Sequence, residues 1–487
     1  MPLQSFFCVV SLTLAVASAR EDCVATAAKT CAENGDRVAA SATNSIIQGR
    51  VDVLAGVELK VHPDSDVAKK GRGEWIILPD GGCRQGDLEA LAANMPNNTR
   101  ALIHGHPDSG GLCFFVMEGT QEGVWQKLMM HRWNGTPKVE TDTAVHFDAH
   151  NDQESWKDPA DLSWGLDRID TKIETGLDGS FKPMGNTGGS GVDVYIMDSG
   201  IRTSHTEFGG RAVPKLETFG GEVKVCASNV QDCAVDKHGH GTFVAGIVGG
   251  QTVGVAPQAT LHAVKVIDGE TGTAKSLHVA FDWLLSQNLP VASTVFTVSL
   301  SLAASTGCMY SAFKETCSRG ITAVAAAGNH GLVRSTGWVS GSTGVIVVAA
   351  TTIEDKEWLK NAKYKNMFAP GQAVKSAWIY NDLWFRKQSG TSAAAPYVAG
   401  AAARLLSEAK SMGKTFVNGG VKETLLREST NINPCKACSK RPFLYIGDDP
   451  GRDWMSKAEA GRPEELSGTA GLPYDSASDM ESTMVLR

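Results

Sequence analysis

The sequence has no surplus of positive charge and, after its first twenty residues, no long apolar run. Its 46 lysines and arginines face 53 aspartates and glutamates, a formal net charge of −7 over 487 residues. This balance excludes a chain that binds nucleic acid or an anionic membrane through its whole surface. Because no later stretch reaches the ~18 consecutive apolar residues of a spanning helix, no membrane anchor is predicted.

The same composition excludes other classes of protein. With 42% hydrophobic and 20% charged residues, the chain is neither mostly disordered nor collagen-like. Its length predicts two to four domains.

The N-terminus and the cysteines indicate secretion. Residues 6–17 are apolar but too few to span a bilayer, and Ala17-Ser18-Ala19 forms a small-residue cleavage site. Residues 1–19 are therefore predicted to be a signal peptide, with a buried N-terminal strand as the alternative. Loss of Cys8 leaves ten of the eleven cysteines, an even number that suits disulfides formed within each half of the chain. The simplest local pairs are Cys226/Cys233, Cys308/Cys317 and Cys435/Cys438, the last interpreted as structural rather than as a redox or zinc motif.

A small α+β domain is predicted before residue 150. Strands and helices alternate as βαββαβ over about residues 73–147, the split βαβ order of ferredoxin-like folds. Residues 20–72 are polar and receive no assignment, and Asn97 and Asn134 begin glycosylation sequons. The predicted strands are Glu74–Pro79, Arg100–Ile103, Leu112–Val116 and Val139–Phe147, and the predicted helices are Gln85–Met95 and Thr120–Trp133.

An α/β domain is predicted over about residues 160–447. Short, nearly continuous apolar runs alternate with helical patterns, as a parallel sheet with helices on both faces requires. Residues 448–487 hold nine acidic and four basic residues, and with few apolar residues this tail is predicted to be disordered. The runs are Val192–Met197, Leu261–Ile267, Thr294–Leu300, Thr322–Ala327 and Val345–Ala350, and the clearest helices are Ala274–Gln287 and Ser392–Met412.

Three motifs place reactive residues at the ends of these elements. Asp198 directly follows a buried strand, at the edge where open α/β sheets hold their sites. His240 lies between glycines at the start of an apolar helix, and Ser392 lies among small residues at the start of another. Each alone has a plainer explanation, such as a helix cap or a metal ligand. Together an acid, an imidazole base and a hydroxyl meet the requirements of nucleophilic catalysis.

With their flanking residues, these motifs resemble the subtilisin-like serine proteases, closest to the proteinase K branch, over about residues 162–447. The chain order Asp, His, Ser is that of subtilisin. The motifs that carry the resemblance are Trp164–Ile169, Asp198–Ile201, His205–Phe208, His240–Thr242, Val255–Pro257, Val264–Val266, Ser299–Leu300, Ala326–Asn329, Gly390–Ser392 and Pro442–Gly447.

The resemblance implies a role for each site residue. Asp198 is the orienting acid, His240 the general base and acid, and Ser392 the nucleophile. Asn329 is the oxyanion donor, together with the backbone N–H of Ser392. Two further groups bind substrate: an extended segment of Ser299, Leu300 and Ser301, and an opposing pocket wall of Ala325, Ala326, Ala327 and Gly328.

Among the positions that depart from the family's pattern, two bear on substrate and metal binding. Ser301 replaces a glycine, and its side chain is expected to narrow the primary pocket. Asn366 stands where proteinase K-like enzymes have a calcium-ligating aspartate, and a neutral amide is a weaker ligand for a hard cation. Catalysis is expected to need no cofactor, and structural calcium is left open.

The resemblance also assigns the remaining segments. Residues 20–150 are expected to be an inhibitory propeptide, cut between Phe147 and Asp158 to leave a peptidase domain over residues 151–447; an unrelated binding domain is the alternative. The whole is then a secreted, monomeric serine endopeptidase made as an autoprocessed zymogen. A non-catalytic subtilase-like protein that binds peptides is the alternative function. A structural secreted glycoprotein is a third, but it gives no reason for the four site residues.

Overall fold

A computed structural model gives the fold of the chain. It describes residues 50–460 apart from 55–56, 81, 148–149, 157–162, 173–175, 228–231, 303–306, 330–343, 359–364, 418, 436–438 and 450–452. The predicted signal peptide and residues 461–487 of the predicted tail lie outside the described residues. Among those described, no helix is both long and apolar enough to cross a bilayer.

The N-terminal domain is built on one six-stranded sheet. Its elements are β1 (Arg50–Leu54), β2 (Val57–Val61), α1 (Asp66–Lys70), β3 (Arg72–Leu78), α2 (Gln85–Ala93), β4 (Arg100–His104), β5 (Phe115–Thr120), α3 (Gln121–Met130) and β6 (Lys138–Thr141). The strand order is β1-β2-β6-β3-β5-β4, and β3 is antiparallel to both β5 and β6. The strand predicted over Val139–Phe147 is divided into β6 and β7 (Ala144–His146). β1, β2 and α1 occupy part of the segment that received no assignment.

Alternate residues of the N-terminal sheet belong to different cores. Trp75 and Ile77 of β3 pack in the N-terminal domain's own core. Ile76 and Leu78 pack instead with the core of the C-terminal domain. Because strand side chains alternate between faces, one face of this sheet is buried against the C-terminal domain.

The C-terminal domain contains a ten-stranded sheet among its described residues. The order is β11-β10-β12-β9-β15-β17-β18-β19-β24-β23, parallel from β10 to β24 and antiparallel at both edges. All residues of β15 and β18 are buried, which confirms the predicted parallel sheet covered on both faces. Its strands are β9 (Asp193–Asp198), β10 (Ala212–Glu217), β11 (Lys224–Val225), β12 (Thr260–Lys265), β15 (Thr294–Val298), β17 (Thr322–Ala326), β18 (Ile346–Thr351), β19 (Met367–Pro370), β23 (Thr430–Ile432) and β24 (Arg441–Phe443).

Helices and small sheets complete the described part of this domain. The helices are α4 (Trp164–Asp170), α5 (His240–Gly249), α6 (Ala274–Ser286), α7 (Gly307–Ser318), α8 (Thr391–Ser411) and α9 (Gly420–Arg427). The small sheets contain β8 (His150–Trp156), β13 (Ile267–Asp268), β14 (Thr271–Thr273), β16 (Ser301–Leu302), β20 (Val374–Ala377), β21 (Phe385–Ser389), β22 (Lys414–Phe416) and β25 (Ala458–Ala460). The long helix α8 packs on α5 and on the central strands β17 and β18.

The start of the predicted tail is folded, so the prediction of disorder from residue 448 is wrong for the described residues up to 460. β25 pairs antiparallel with β22, and Trp454 is buried. The acidic composition of the whole tail concealed these few apolar residues, which find a partner strand only in the folded domain.

The cysteines confirm one predicted pair and refute another. Cys83–Cys113 and Cys226–Cys233 form disulfides, whereas Cys317 is a free thiol. Cys308 and Cys317 lie on one helix, α7, whose rise separates their Cα atoms by roughly 13–14 Å. A disulfide needs about 4.4–6.8 Å, so the predicted pair cannot form. Burial raises the pKa of the Cys317 thiol to about 12. Cys435 is also disulfide-bonded, but Cys438 lies outside the described residues.

Candidate active site

The sheet and α5 bring Asp198 and His240 together. Asp198 ends β9 and His240 begins α5, and both side chains are completely buried. The carboxylate can only accept, so His240 Nδ1 donates to it, at 2.8 Å from Oδ1 and 3.0 Å from Oδ2. This bond fixes the proton of the neutral ring on Nδ1 and leaves Nε2 as a base. His240 Nε2 has no hydrogen-bond partner among the described residues.

A glycine turn lets the histidine take this position. Gly239 caps α5 with a φ of 108°, in the left-handed region. A Cβ atom on Gly239 would lie 2.5 Å from the ring of Trp378. Any side chain here would therefore be strained and would collide with that ring.

Asp236 holds the same turn through its buried carboxylate. Oδ1 accepts the backbone N–H groups of His238 and Gly239, at 3.0 and 2.7 Å. Oδ2 accepts both the N–H and the hydroxyl of Thr242, at 2.8 and 2.6 Å. The hydroxyl of Ser199, next to Asp198, donates to Oδ1 at 2.8 Å. One carboxylate thus fixes the histidine turn relative to the strand that carries the acid.

We expect Asp236→Asn to lower kcat roughly tenfold, about 1.4 kcal/mol in activation free energy, with little change in KM. The amide group cannot accept from all five donors, so the turn that carries His240 loses its fixed position. Asp193→Asn, at the other end of β9, is the matched control, and steady-state kinetics on one peptide substrate measures both. Equal activity in Asp236→Asn and Asp193→Asn would refute a positioning role for Asp236.

Asn329 lies near Ser392, because α8, which carries Ser392, packs on β17, the strand that precedes Asn329. Asn329 follows the end of β17, and its Oδ1 accepts the N–H and the hydroxyl of Thr391, each at 2.9 Å. The two groups are also close to a common point: a Cβ atom on Gly390 would lie 2.9 Å from Asn329 Nδ2 and 3.4 Å from Ser392 Oγ. Because Oδ1 is committed to Thr391, the amide is oriented with Nδ2 toward the Ser392 side of the site.

The predicted substrate-binding segments follow the carboxyl ends of β15 and β17. Ser299 and Leu300 are buried after β15, and Ser301 begins β16. The predicted pocket wall is buried at the carboxyl end of β17, and the Gly328 N–H donates to the Thr391 hydroxyl at 3.0 Å. The wall residues are Ala325, Ala326, Ala327 and Gly328.

The strand β7, which precedes the predicted cut, lies between β14 and β16. β7 pairs antiparallel with β14 on one side and with β16 on the other. His146 is opposite both Thr271 and Ser301. The segment before the predicted cut therefore occupies the groove between β14 and β16 in the extended, backbone-paired form of a peptide ligand.

The next residue, Phe147, covers the ring of His240. The ring of Phe147 lies 4.8 Å from that of His240 and 4.0 Å from that of His238, with the second pair stacked. Beyond it, β8 pairs antiparallel with β21, where His150 is opposite Ser389. The N-terminal domain therefore contributes to the burial of the site.

The structure brings Asp198 to His240, and it places Asn329 on the Ser392 side of the site. Three neighbours, Asp236, Thr391 and His238, received no role from the sequence. Asp236 and Thr391 lie within motifs that were quoted or flanked, yet only their hydrogen bonds reveal what they do. His238 lies just before the His240–Thr242 motif, and only its stacking on Phe147 reveals its place in the site. Burial lowers the pKa of its ring.

The described part of the chain contains no group of three or more His, Cys, Asp or Glu side chains arranged to hold a metal ion. Asn366 accepts the N–H of Val347 at 2.9 Å through Oδ1, so its side chain serves the backbone at the start of β18.

Known proteins resemble this chain across the same region. Residues 189–442 match the model of the family described as the subtilase family. An extracellular serine proteinase of Thermus sp. is 36% identical over 265 residues, 54% of this chain and 61% of that protein. Alkaline protease 1 of Aspergillus clavatus is 31% identical over 369 residues, 72% of this chain and 86% of that protein. The crystal structure of a cold adapted subtilisin-like serine proteinase matches with a TM-score of 0.52 and 29% identity, covering 60% of this chain and 100% of that one.

Proposed function

The chain belongs to the subtilase family of serine endopeptidases, and we propose that it hydrolyses protein and peptide substrates through Asp198, His240 and Ser392. The observation that carries this proposal is the buried Asp198–His240 pair. Asn329 and Ser392 lie near each other, and α8, which carries Ser392, packs on α5, which carries His240. The alternative, a non-catalytic protein that binds peptides, needs only the groove and gives no use for a buried imidazole–carboxylate pair.

The proposed reaction has two stages. Ser392 Oγ attacks the substrate carbonyl carbon while His240 Nε2 takes its proton, and Asp198 stabilises the imidazolium. Asn329 Nδ2 and the Ser392 N–H donate to the oxyanion of the tetrahedral intermediate. The C–N bond breaks as His240 returns the proton to the leaving amine. Water then hydrolyses the acyl-enzyme with His240 again as base, so catalysis needs no cofactor.

We further propose that the chain is a zymogen whose N-terminal segment, residues 20–150, inhibits the site until it is cut. Two strand registers support a position for the cut. Before it, His146 pairs with Ser301 and Phe147 covers His240. After it, His150 pairs with Ser389, three residues before the nucleophile. The scissile bond is therefore proposed to lie between Phe147 and His150, at the near end of the window predicted from sequence.

Secretion and the monomeric state are part of the same proposal. Disulfides persist in oxidising compartments, and Cys83–Cys113 and Cys226–Cys233 support export. The relative from Thermus is itself named as extracellular.

A fluorophosphonate probe tests the function. We expect the processed wild-type protein to be labelled on Ser392, and N-terminal sequencing of the same sample to begin between residues 148 and 150. An unlabelled protein, after the N-terminal domain has been removed, would favour the peptide-binding alternative.

Polar contacts also join the N-terminal domain to α6. Lys275 Nζ lies 2.6 Å from Glu74 Oε2, and the Lys275 N–H donates to Asp142 Oδ1 at 2.9 Å. Asp282 Oδ1 accepts the N–H of His106, and Oδ2 lies 2.6 Å from His106 Nδ1. Burial raises the pKa of Asp142 to about 6, and the hydrogen bond to Asp282 raises the pKa of His106.

We expect the cut N-terminal domain to dissociate faster as the pH rises. Asp142 and His106 bind protons more tightly when the N-terminal domain is bound to the peptidase domain than when the two are separated. Protonation of these two side chains therefore stabilises the bound form, and this stabilisation is complete below their ordinary pKa values. For Asp142 this contribution is lost between about pH 4 and 6, and for His106 it is lost as pH rises above 6.5 through the raised pKa. Each unit of pKa difference changes the dissociation equilibrium about tenfold.

Dissociation is measured as the lag before peptidase activity appears in a solution of the precursor. Precursor is incubated at pH 5.5, 7 and 8.5, and aliquots are assayed at one common pH. His106→Gln keeps a polar side chain but cannot take up a proton, so it is expected to shorten the lag at pH 5.5 and flatten the profile. A wild-type lag that lengthens with rising pH would contradict the prediction.

A further inference from the structure

The groove contains a flat surface formed by the ring of His238. The rings of Phe147 and His238 are stacked, with centroids 4.0 Å apart and an interplanar angle of 11°. The ring of His240 meets Phe147 at 41° from another side. The two imidazoles, 6.3 Å apart at 49°, thus form two walls around one aromatic side chain.

His238 is held in this position by both its backbone and its surroundings. Its N–H donates to the buried carboxylate of Asp236 at 3.0 Å. Its side chain is 19% exposed, and Nε2 lies 3.6 Å from Oε2 of Glu270 in the turn between β13 and β14. Nδ1 is buried and has no hydrogen-bond partner in the part of the chain that the structure describes. Since burial lowers the pKa of His238, the ring is neutral at pH 7 and presents its face rather than a charge.

We propose that His238 is a specificity-determining residue that selects an aromatic side chain at the substrate position taken by Phe147. This inference rests on the proposed peptidase function. In the precursor, His146 of β7 is opposite Ser301, and the next residue, Phe147, stacks on His238. A substrate strand that takes the place of β7 between β14 and β16 puts its own residue at the Phe147 position on the His238 ring. An aromatic ring stacked on His238 gains binding free energy beyond that of its buried area. A branched aliphatic side chain has no flat face to stack on the two imidazole rings.

The test compares peptides that differ only at this position. N-terminal sequencing of the processed enzyme first fixes how many residues separate Phe147 from the cut. Matched fluorogenic peptides then carry Phe, cyclohexylalanine, Leu or Ala there. We expect kcat/KM for Phe to exceed that for cyclohexylalanine and Leu roughly three- to tenfold, because cyclohexylalanine has similar bulk but no flat ring.

Variants assign the preference to the ring of His238. His238→Ala is expected to remove the Phe-over-cyclohexylalanine ratio, and His238→Phe to restore it. His262→Ala is the matched control, since His262 also stacks on an aromatic ring, that of Tyr195, but lies on β12 away from the groove. A ratio near one in the wild type, or an unchanged ratio in His238→Ala, would overturn the inference while leaving the peptidase function intact. No cleavage of any peptide by the processed wild type would instead refute the proposed function itself.

Discussion

Replacing Ser392 by alanine is expected to remove peptidase activity, by on the order of 10⁶-fold in kcat, a value established on subtilisin, a member of this family. Ser392 is the second residue of α8 and is almost completely buried, at 4% exposure. Without its hydroxyl, His240 has no proton to take and no acyl-enzyme can form. The remaining oxyanion donors and the groove still bind substrate, so KM is expected to change little. Steady-state kinetics and fluorophosphonate labelling measure the loss.

The same variant tests the zymogen proposal. A precursor that cuts itself should stay full-length as Ser392→Ala, which a gel and N-terminal sequencing reveal. Ser407→Ala is the matched control, because Ser407 lies on the same helix and its hydroxyl donates to the Ser190 carbonyl at 2.7 Å, away from the site. We expect that control to be processed and labelled as in the wild type. Purified Ser392→Ala that cleaves itself between Phe147 and His150 would contradict the proposed nucleophile.

Most of the C-terminal sheet could be predicted because its strands carry a strong local signal. β15 and β18 are buried along their whole length, so their sequences are continuous apolar runs that no helical or alternating pattern obscures. Asp198 could be located for the same reason, since it directly follows such a run. The directions of the strands then bring the candidate residues to one edge of the sheet.

The features that could not be predicted depend on partners distant in the sequence. The pairing of Cys308 with Cys317 seemed natural from their spacing, but α7 holds their Cα atoms too far apart. β25 lies in an acidic segment and is stabilised by pairing with β22. Asp236 contacts Ser199 and Thr242, and no local pattern reveals that one carboxylate connects the acid's strand to the base's helix.

Asn329→Leu is expected to lower kcat by about 10²- to 10³-fold, or about 2.7–4 kcal/mol in activation free energy, again a range established on subtilisin. Leucine has nearly the same shape but no N–H to donate to the oxyanion. The negative charge on the oxygen develops only in the transition state, so KM is expected to change little while kcat falls. Steady-state kinetics on one fluorogenic peptide separates the two constants.

Thr391 provides the matched pair for this prediction. Its hydroxyl donates to Asn329 Oδ1 and accepts the Gly328 N–H, so Thr391→Val should release the amide from its orientation, whereas Thr391→Ser keeps both bonds. We expect Thr391→Val to lose roughly tenfold in kcat and Thr391→Ser to stay near the wild type. If Thr391 acts only by orienting Asn329, the double variant Asn329→Leu/Thr391→Val will be no slower than Asn329→Leu alone, because the group to be oriented is already gone. Fully additive losses in the double variant would mean that Thr391 serves the site independently of Asn329. For Asn329→Leu alone, a rise in KM equal to the fall in kcat/KM would mean that Asn329 binds the substrate rather than its transition state.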